Sequence, residues 1–403
     1  LIEKGRENLL LQSNQFDTSW TAANSSVTSG QTGYDGSSDA WLLEATTSSS
    51  RIVQNNTTSG VQTFSCYAKA GTANYLAFYN IVSGLSVRAW FNLSDGTIEN
   101  SLYNIEAKIE SVGNGWYRCS ITYNETLSNV RIYVAREGGN FNTISGDNIY
   151  IQDAQLEVGL AATDYIESGA TTGKAGLLEN EPRLDYSGGA TCPSLLLEPS
   201  RTNLIKQSEY FESSDWSSQQ TLETLENVTN PEGTNTTYKV CANASNSNHY
   251  LERAPYTGAT SGVDYVFSFF AKAEDSDFVQ VATSTGFAAK YQNFNLSNGT
   301  FGNGDANAFG YTSTIEAVGT NGWYRISVKA TTTSTNARFL IVPILSDISA
   351  RNPIFLGDGS SGFYMWGAQL EQASYPTSYI PTHGNSVTRN FDNATTTSEE
   401  DVL

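Results

Sequence analysis

GNGWYRCSIT (residues 113–122) and GTNGWYRISV (319–328) are one phrase written twice in this chain of 403 residues. Working outward, four more blocks recur in the same order. NLLLQSNQFDTSW (8–20) returns as NLIKQSEYFESSDW (203–216), and FSCYAKAG (64–71) as FSFFAKAE (267–274). FNLSDGT (91–97) returns as FNLSNGT (294–300), and AQLEVGLAATDYI (154–166) as AQLEQASYPTSYI (368–380). The offset between copies grows from 195 residues at the first block to 214 at the last. Differences that small belong in loops, so the chain holds two copies of one domain of ordinary size. The period is far too long for a solenoid of short repeats. Two like modules in series point to binding or building more than to catalysis.

The repeated blocks alternate. In GWYRCSIT, Tyr117, Cys119 and Ile121 face one way, with Arg118 and Ser120 the other; the copy sets Tyr324, Ile326 and Val328 against Arg325 and Ser327. In FSCYAKA, Phe64, Cys66 and Ala68 alternate with Ser65, Tyr67 and Lys69. In VRAWFNL, Val87, Ala89, Phe91 and Leu93 share one face, and Arg88 and Trp90 the other. Period-two runs with one polar face, followed by SDG or SNG turns, mark antiparallel sheets covered on one side. No stretch keeps a convincing helical period. The expectation is all-β: two tandem antiparallel β-sandwiches, each a jelly roll. Residues 1–7 read as the end of a preceding connector and 8–166 as the first module. Residues 167–202 read as a linker packed on the modules, 203–389 as the second module, and 390–403 as a polar tail.

Composition narrows the function. A net charge of −19 argues against a nucleic-acid partner, which requires clustered Lys and Arg, and against an anionic membrane surface. No apolar run approaches the ~20 residues that span a bilayer. The chain starts at Leu1 rather than Met, and is read as a piece or processed product of something longer. The four cysteines Cys66, Cys119, Cys192 and Cys241 form no CxxC pair. Cys66 and Cys119 stand where the second copy has Phe269 and Ile326, so both are expected as free thiols in the core. There are only two histidines, His249 and His383, and no GxSxG, HExxH or P-loop, so no enzyme is expected.

LLLEPSRTNLIKQSEYFESSDW, the WYR strand, and the ending WGAQLEQASYPTSYIPTHGNSVTRNFD resemble the carbohydrate-binding-module-like jelly rolls of phage tail fibres, head fibres and related virion adhesins. The second module matches over nearly its whole length. The first matches less fully, with ENLLLQSNQF and QLEVGLAATDYIESG at its ends. The resemblance implies sugar recognition by exposed aromatic rings, often with a structural Ca²⁺. It also implies a place on the virion surface among other virion proteins, in a homo-oligomer whose weak sites gain from avidity. Similar modules accompany secreted polysaccharide-degrading enzymes, so an enzyme's binding appendage is one alternative, and a structural connector with no glycan ligand is another.

Aromatics present in both copies are assigned to the core: Trp20 with Trp216, Phe64 with Phe267, Phe91 with Phe294, Trp116 with Trp323, Tyr117 with Tyr324, and Tyr165 with Tyr379. The outward residues differ between copies. In the first module Tyr67, Lys69, Tyr75, Arg88 and Trp90 would form an aromatic and basic platform if their strands share a sheet. The matching set in the second is Phe270, Lys272, Phe278, Gln280, Tyr291 and Asn293. Sugars stack apolar CH faces on such rings, and burial against a neighbour is the competing use. For Ca²⁺, the candidates are Asn8, Glu44 and Asp153 in the first module, and Asn203, Glu252 and Glu371 in the second.

Overall fold

The computed structural model describes residues 5–82, 85–176, 183–185, 194–253, 257–305, 308 and 310–392. Cys192, much of the linker and most of the polar tail lie outside these residues. The chain divides into two compact units between Leu178 and Glu179.

Each unit contains two six-stranded sheets, antiparallel at every pairing described. In the first, the sheet carrying the WYR phrase runs in the order Glu106–Gly113, Trp116–Asn124, Val61–Ala70, Asn148–Val158, Ala40–Ala45, Ser25–Gln31. The sheet carrying the FNLS phrase runs Thr21–Ala23, Arg51–Asn55, Leu127–Ala135, Tyr75–Val82, Leu85–Asn92, Thr97–Leu102. The second unit repeats both orders strand for strand. Its WYR sheet is Tyr311–Val318, Trp323–Thr331, Asp264–Ala273, Gly362–Glu371, Thr237–Ala242, Thr221–Glu226. Its FNLS sheet is Trp216–Gln219, Tyr250–Arg253, Phe339–Pro343, Phe278–Thr283, Tyr291–Asn295, Thr300–Gly304. The chain crosses repeatedly between sheets, as in a jelly roll, so neighbours in sequence often lie on opposite sides of the core.

The alternation read from the sequence sets what lies between the sheets. Phe64 meets Phe78 across the first sandwich with ring centroids 4.5 Å apart, and Phe267 meets Phe339 across the second at 5.4 Å. Cys66 and Cys119 sit in the first core as free thiols, and Cys241 is buried and free in the second unit. Each large side chain so enclosed contributes about 1.5–3 kcal/mol relative to exposure. Trp116 and Trp323 are buried too, but outside the inter-sheet core, on the outer side of the WYR sheets. The FNLS phrase closes a tight turn in both copies: Gly96 N–H donates to Asn92 O and Gly299 N–H to Asn295 O, both at 2.9 Å. Both glycines have positive φ, and a Cβ at Gly299 would meet the Tyr324 ring at 2.4 Å, so the turn requires glycine.

The remaining repeated motifs form a clasp. Asn8 Nδ2 donates to Ala154 O (3.1 Å) and Ile166 O (2.9 Å), while its Oδ1 accepts from Leu10 N and Leu156 N. Asn203 makes the same four bonds to Ala368, Ile380, Ile205 and Leu370. Gln155 Oε1 accepts from Ile166 N, and Gln369 Oε1 from Ile380 N, both at 2.7 Å. Glu157 and Glu371 take the backbone N–H and hydroxyl of Thr163 and Thr377. The WYR arginines Arg118 and Arg325 donate to the carbonyls of Thr163 and Thr377. The QLE and WYR phrases thus hold the first and last segments of each module against its WYR sheet.

Candidate functional site

The expected platform divides between two faces. Tyr67 and Lys69 lie on the strand Val61–Ala70 of the WYR sheet, whereas Tyr75, Arg88 and Trp90 lie on the FNLS sheet. Side chains pointing away from the core on these two sheets stand on opposite sides of the sandwich. The same division separates Phe270 and Lys272 from Phe278, Gln280, Tyr291 and Asn293.

The outer WYR face is covered around Tyr67 in the first module and Phe270 in the second, while Tyr150 and Tyr364 on it stay half-buried. Tyr34, from the loop before Ala40, stacks on Tyr67 at 3.8 Å and 7°, and Arg118 lies over the Tyr67 ring with its Cζ 5.3 Å from the centroid. Tyr34 O–H donates to Asp153 Oδ2 at 3.1 Å. Burial, with Asp39 and Asp35 nearby, pushes the Asp153 carboxyl up to about 7. Asp153 occupies a bulge with φ of +54°, where the second module has Gly367 at +63°. There Phe270, Trp366 and Tyr379 fill the space, with centroids 5.3 Å (Phe270–Trp366) and 4.8 Å (Trp366–Tyr379) apart. Tyr67 and Phe270 are therefore packing residues.

The outer FNLS face is different. In the first module its strands bring Arg51, Arg131, Tyr133, Tyr75, Tyr79, Arg88 and Trp90 together, because each alternates with a core residue. Trp90 is not exposed: the loop 136–147 lays Phe141 over it, with centroids 5.1 Å from Trp90, 4.2 Å from Tyr133 and 5.3 Å from Tyr79. The Trp90 indole N–H donates to Asn140 O at 3.1 Å. Beside this cap the face stays partly open, and Tyr75, Tyr79, Arg51, Arg88 and Arg131 are half-buried. Arg88 Cζ lies 5.8 Å from the Tyr79 centroid and Arg51 Cζ 5.4 Å from that of Tyr133. Arg131 Nε donates to Asn129 Oδ1 at 2.7 Å. Glu99, across from Trp90, accepts from Tyr75 O–H at 2.9 Å.

In the second module, Gln280 and Asn293 hold the places of Ala77 and Trp90. Both are fully buried. Gln280 Nε2 donates to Asn293 Oδ1 (2.7 Å) and Ala350 O (3.0 Å), and its Oε1 accepts from Asn352 N (2.7 Å). Asn293 Nδ2 donates to Asp347 O and Ser349 O. The two amides thus fasten the loop 344–353 and are engaged with protein groups, not presented to a ligand. Tyr250, Phe278 and Tyr291 remain half-buried on this face. Arg338 forms a two-pronged pair with Glu252 and lies 5.9 Å from the Tyr250 ring centroid.

The Ca²⁺ candidates are distributed and mostly engaged. Asn8 and Asn203 use both ends of their amides in the clasp, Glu371 holds Thr377, Glu252 holds Arg338, and Asp153 accepts from Tyr34. Glu44 pairs in register with Ser26 and Asn148, apart from the other five. Among the described residues no group of three or more His, Cys, Asp or Glu is arranged to hold a metal ion.

Arg51, Arg131, Tyr79 and Tyr133 were not singled out in the sequence, although RIVQN and SNVRIYVA alternate as plainly as the quoted strands. Phe141 and Tyr34 come from loops without a period, and no pattern announces them.

No family model and no curated protein matches the chain. Among solved structures it aligns with the N-terminal tandem CBM22 domains of Xyn10C from Paenibacillus barcinonensis, at 11% identity over 91% of this chain and 98% of that one, with a TM-score of 0.28. A mutant of Bacillus subtilis oxalate decarboxylase OxdC aligns at 8% identity over 91% of this chain and 79% of that one, with a TM-score of 0.11. Superpositions this loose carry no argument; the fold assignment stands on the strand pairing itself.

Proposed function

We propose that the chain is a non-enzymatic pair of sugar-binding sandwich modules, and that the outer FNLS face of each is its binding face. One observation carries this reading. The same sheet in both copies gathers half-open aromatic side chains, Tyr75 and Tyr79 in the first and Tyr250, Phe278 and Tyr291 in the second, while the central rings of the WYR faces, Tyr67 and Trp116 or Phe270, Trp323 and Trp366, are buried. Flat rings beside hydrogen-bonding side chains suit the CH faces and hydroxyls of a sugar chain. The scaffold recurs while the face residues change, as suits two sites reading different parts of a polymer. With the resemblance to virion fibre modules, this supports a role in holding a virion fibre on a surface polysaccharide, through other virion proteins and an oligomeric assembly.

A second reading, a structural connector, is favoured by the apolar side chains Leu345, Ile348, Ile354 and Leu356 of the second module, all about two-thirds exposed. A glycan array with the full chain, Tyr79→Ala and Tyr291→Ala separates the two. Saturable binding weakened by either substitution supports the sugar-binding reading. Absence of binding to any glycan, from folded protein, leaves the connector.

A further inference from the structure

The first module's FNLS face carries guanidinium groups that make no ion pair among the described residues. Arg51, Arg88 and Arg131 stand on it, and none has a carboxylate within ion-pair distance among the described residues. In the same module Arg6, Lys108, Arg136 and Lys174 each pair with one. The carboxylates on this side point to other groups: Glu99 accepts from the Tyr75 hydroxyl, and Glu137 from Asn140 Nδ2 at 2.6 Å. The corresponding face of the second module keeps its cation paired, Arg338 with Glu252. Three guanidinium groups thus gather on one face with no described carboxylate in contact with them, although the chain as a whole, with a formal charge of −19, has acids in excess.

Resting on the sugar-binding reading above, we infer that this face selects polysaccharides bearing anionic groups, carboxylate or sulfate. The geometry suits that chemistry. Tyr79 is paired directly with Arg88, and Arg131 stands beside it on the other flank, next to the Ile132–Phe78 pair. Neighbouring strands lie roughly 4.8 Å apart, so the two arginines flank Tyr79 over about 10 Å, the span of a disaccharide. A sugar ring on Tyr79 has a guanidinium available on either side. Arg88 and Arg51 lie over tyrosine rings, which restrains each planar fork before any ligand arrives. Such forks bind carboxylate and sulfate oxygens through paired N–H donors, which lysine does not match. The second module, with its paired arginine and three half-open rings, lacks this selection.

The test titrates the full chain, by affinity electrophoresis and calorimetry, with polygalacturonate, its carboxyl-reduced neutral form, a sulfated galactan and a neutral xylan. Arg88→Gln, Arg131→Gln, the double variant and Tyr79→Ala are compared with the parent, each checked for folding by its thermal transition. The expected result is roughly tenfold or greater preference for an anionic polymer over its neutral form, and a loss of about tenfold in the double variant. Polygalacturonate against the sulfated galactan identifies which anion is read. Equal binding of parent and reduced polymer, unaffected by the arginine changes but lost in Tyr79→Ala, would overturn the inference and keep the sugar-binding reading. No binding to any polymer would remove both.

Discussion

Asn8 and Asn203 show how one side chain can commit a module to its shape. Each is fully buried and makes four hydrogen bonds that join the first segment of its module to the last strand and the closing segment. Asn203→Ala leaves two carbonyls and two N–H groups without that partner, so the second module is expected to lose about 2–4 kcal/mol, read from the denaturant midpoint. Asp153 gives a pH signature. Its carboxyl titrates near 7 in the fold instead of 3.8, so the folded state holds the proton more tightly than the unfolded chain. Stability from this group is complete below about pH 4 and falls as pH rises toward 7, a change of up to about 4 kcal/mol. Asp153→Asn keeps a residue that tolerates positive φ and removes the titration. The parent's first module should therefore melt lower at pH 8 than at pH 5, and the variant should show little of that difference. Equal melting of the parent at both values would contradict the argument.

At the scale of elements, the loops over the FNLS faces decide what a ligand meets. The loop 136–147 is held by Phe141 on Trp90 and Tyr133, whereas 344–353 is held by the amides of Gln280 and Asn293. Phe141→Ala should free the first loop, cost about 3 kcal/mol or somewhat more, and shift Trp90 emission to longer wavelength as water reaches the ring. Unchanged emission in a folded variant would mean that other contacts hold the loop. These loops also mark where the sequence stops being legible. Alternation in FSCYAKA and VRAWFNL identified which side chains face the core, and the repeat identified two sandwiches of one kind. Which strands share a sheet was not readable, because the chain crosses between sheets. The platform expected of Tyr67 and Trp90 required a shared sheet, and the two lie on opposite faces. The capping of Trp90 depends on Phe141, some 50 residues away, and no local pattern encodes that contact.

At the scale of the whole molecule, a repeated scaffold carries faces with different charged groups. Both modules share strand orders, turns and clasp, yet one presents three arginines that make no ion pair among the described residues and the other an arginine paired with Glu252. The arginine face is set in a chain of net charge −19, so an approaching anionic polymer meets repulsion from the molecule and attraction only near the site. The two act over different distances. The Debye length is about 30 Å at 0.01 M salt and about 10 Å at 0.1 M, so moderate salt screens the distant acids while arginine forks in contact with their anions remain effective. Affinity for an anionic polysaccharide is therefore expected to rise between about 0.01 and 0.1 M salt, then fall toward 1 M as the contact pairs are screened in turn. The double variant Arg88→Gln, Arg131→Gln should lose the falling limb. A steady fall from the lowest salt upward, as for a protein whose overall charge attracts its ligand, would show that the distant acids do not oppose binding.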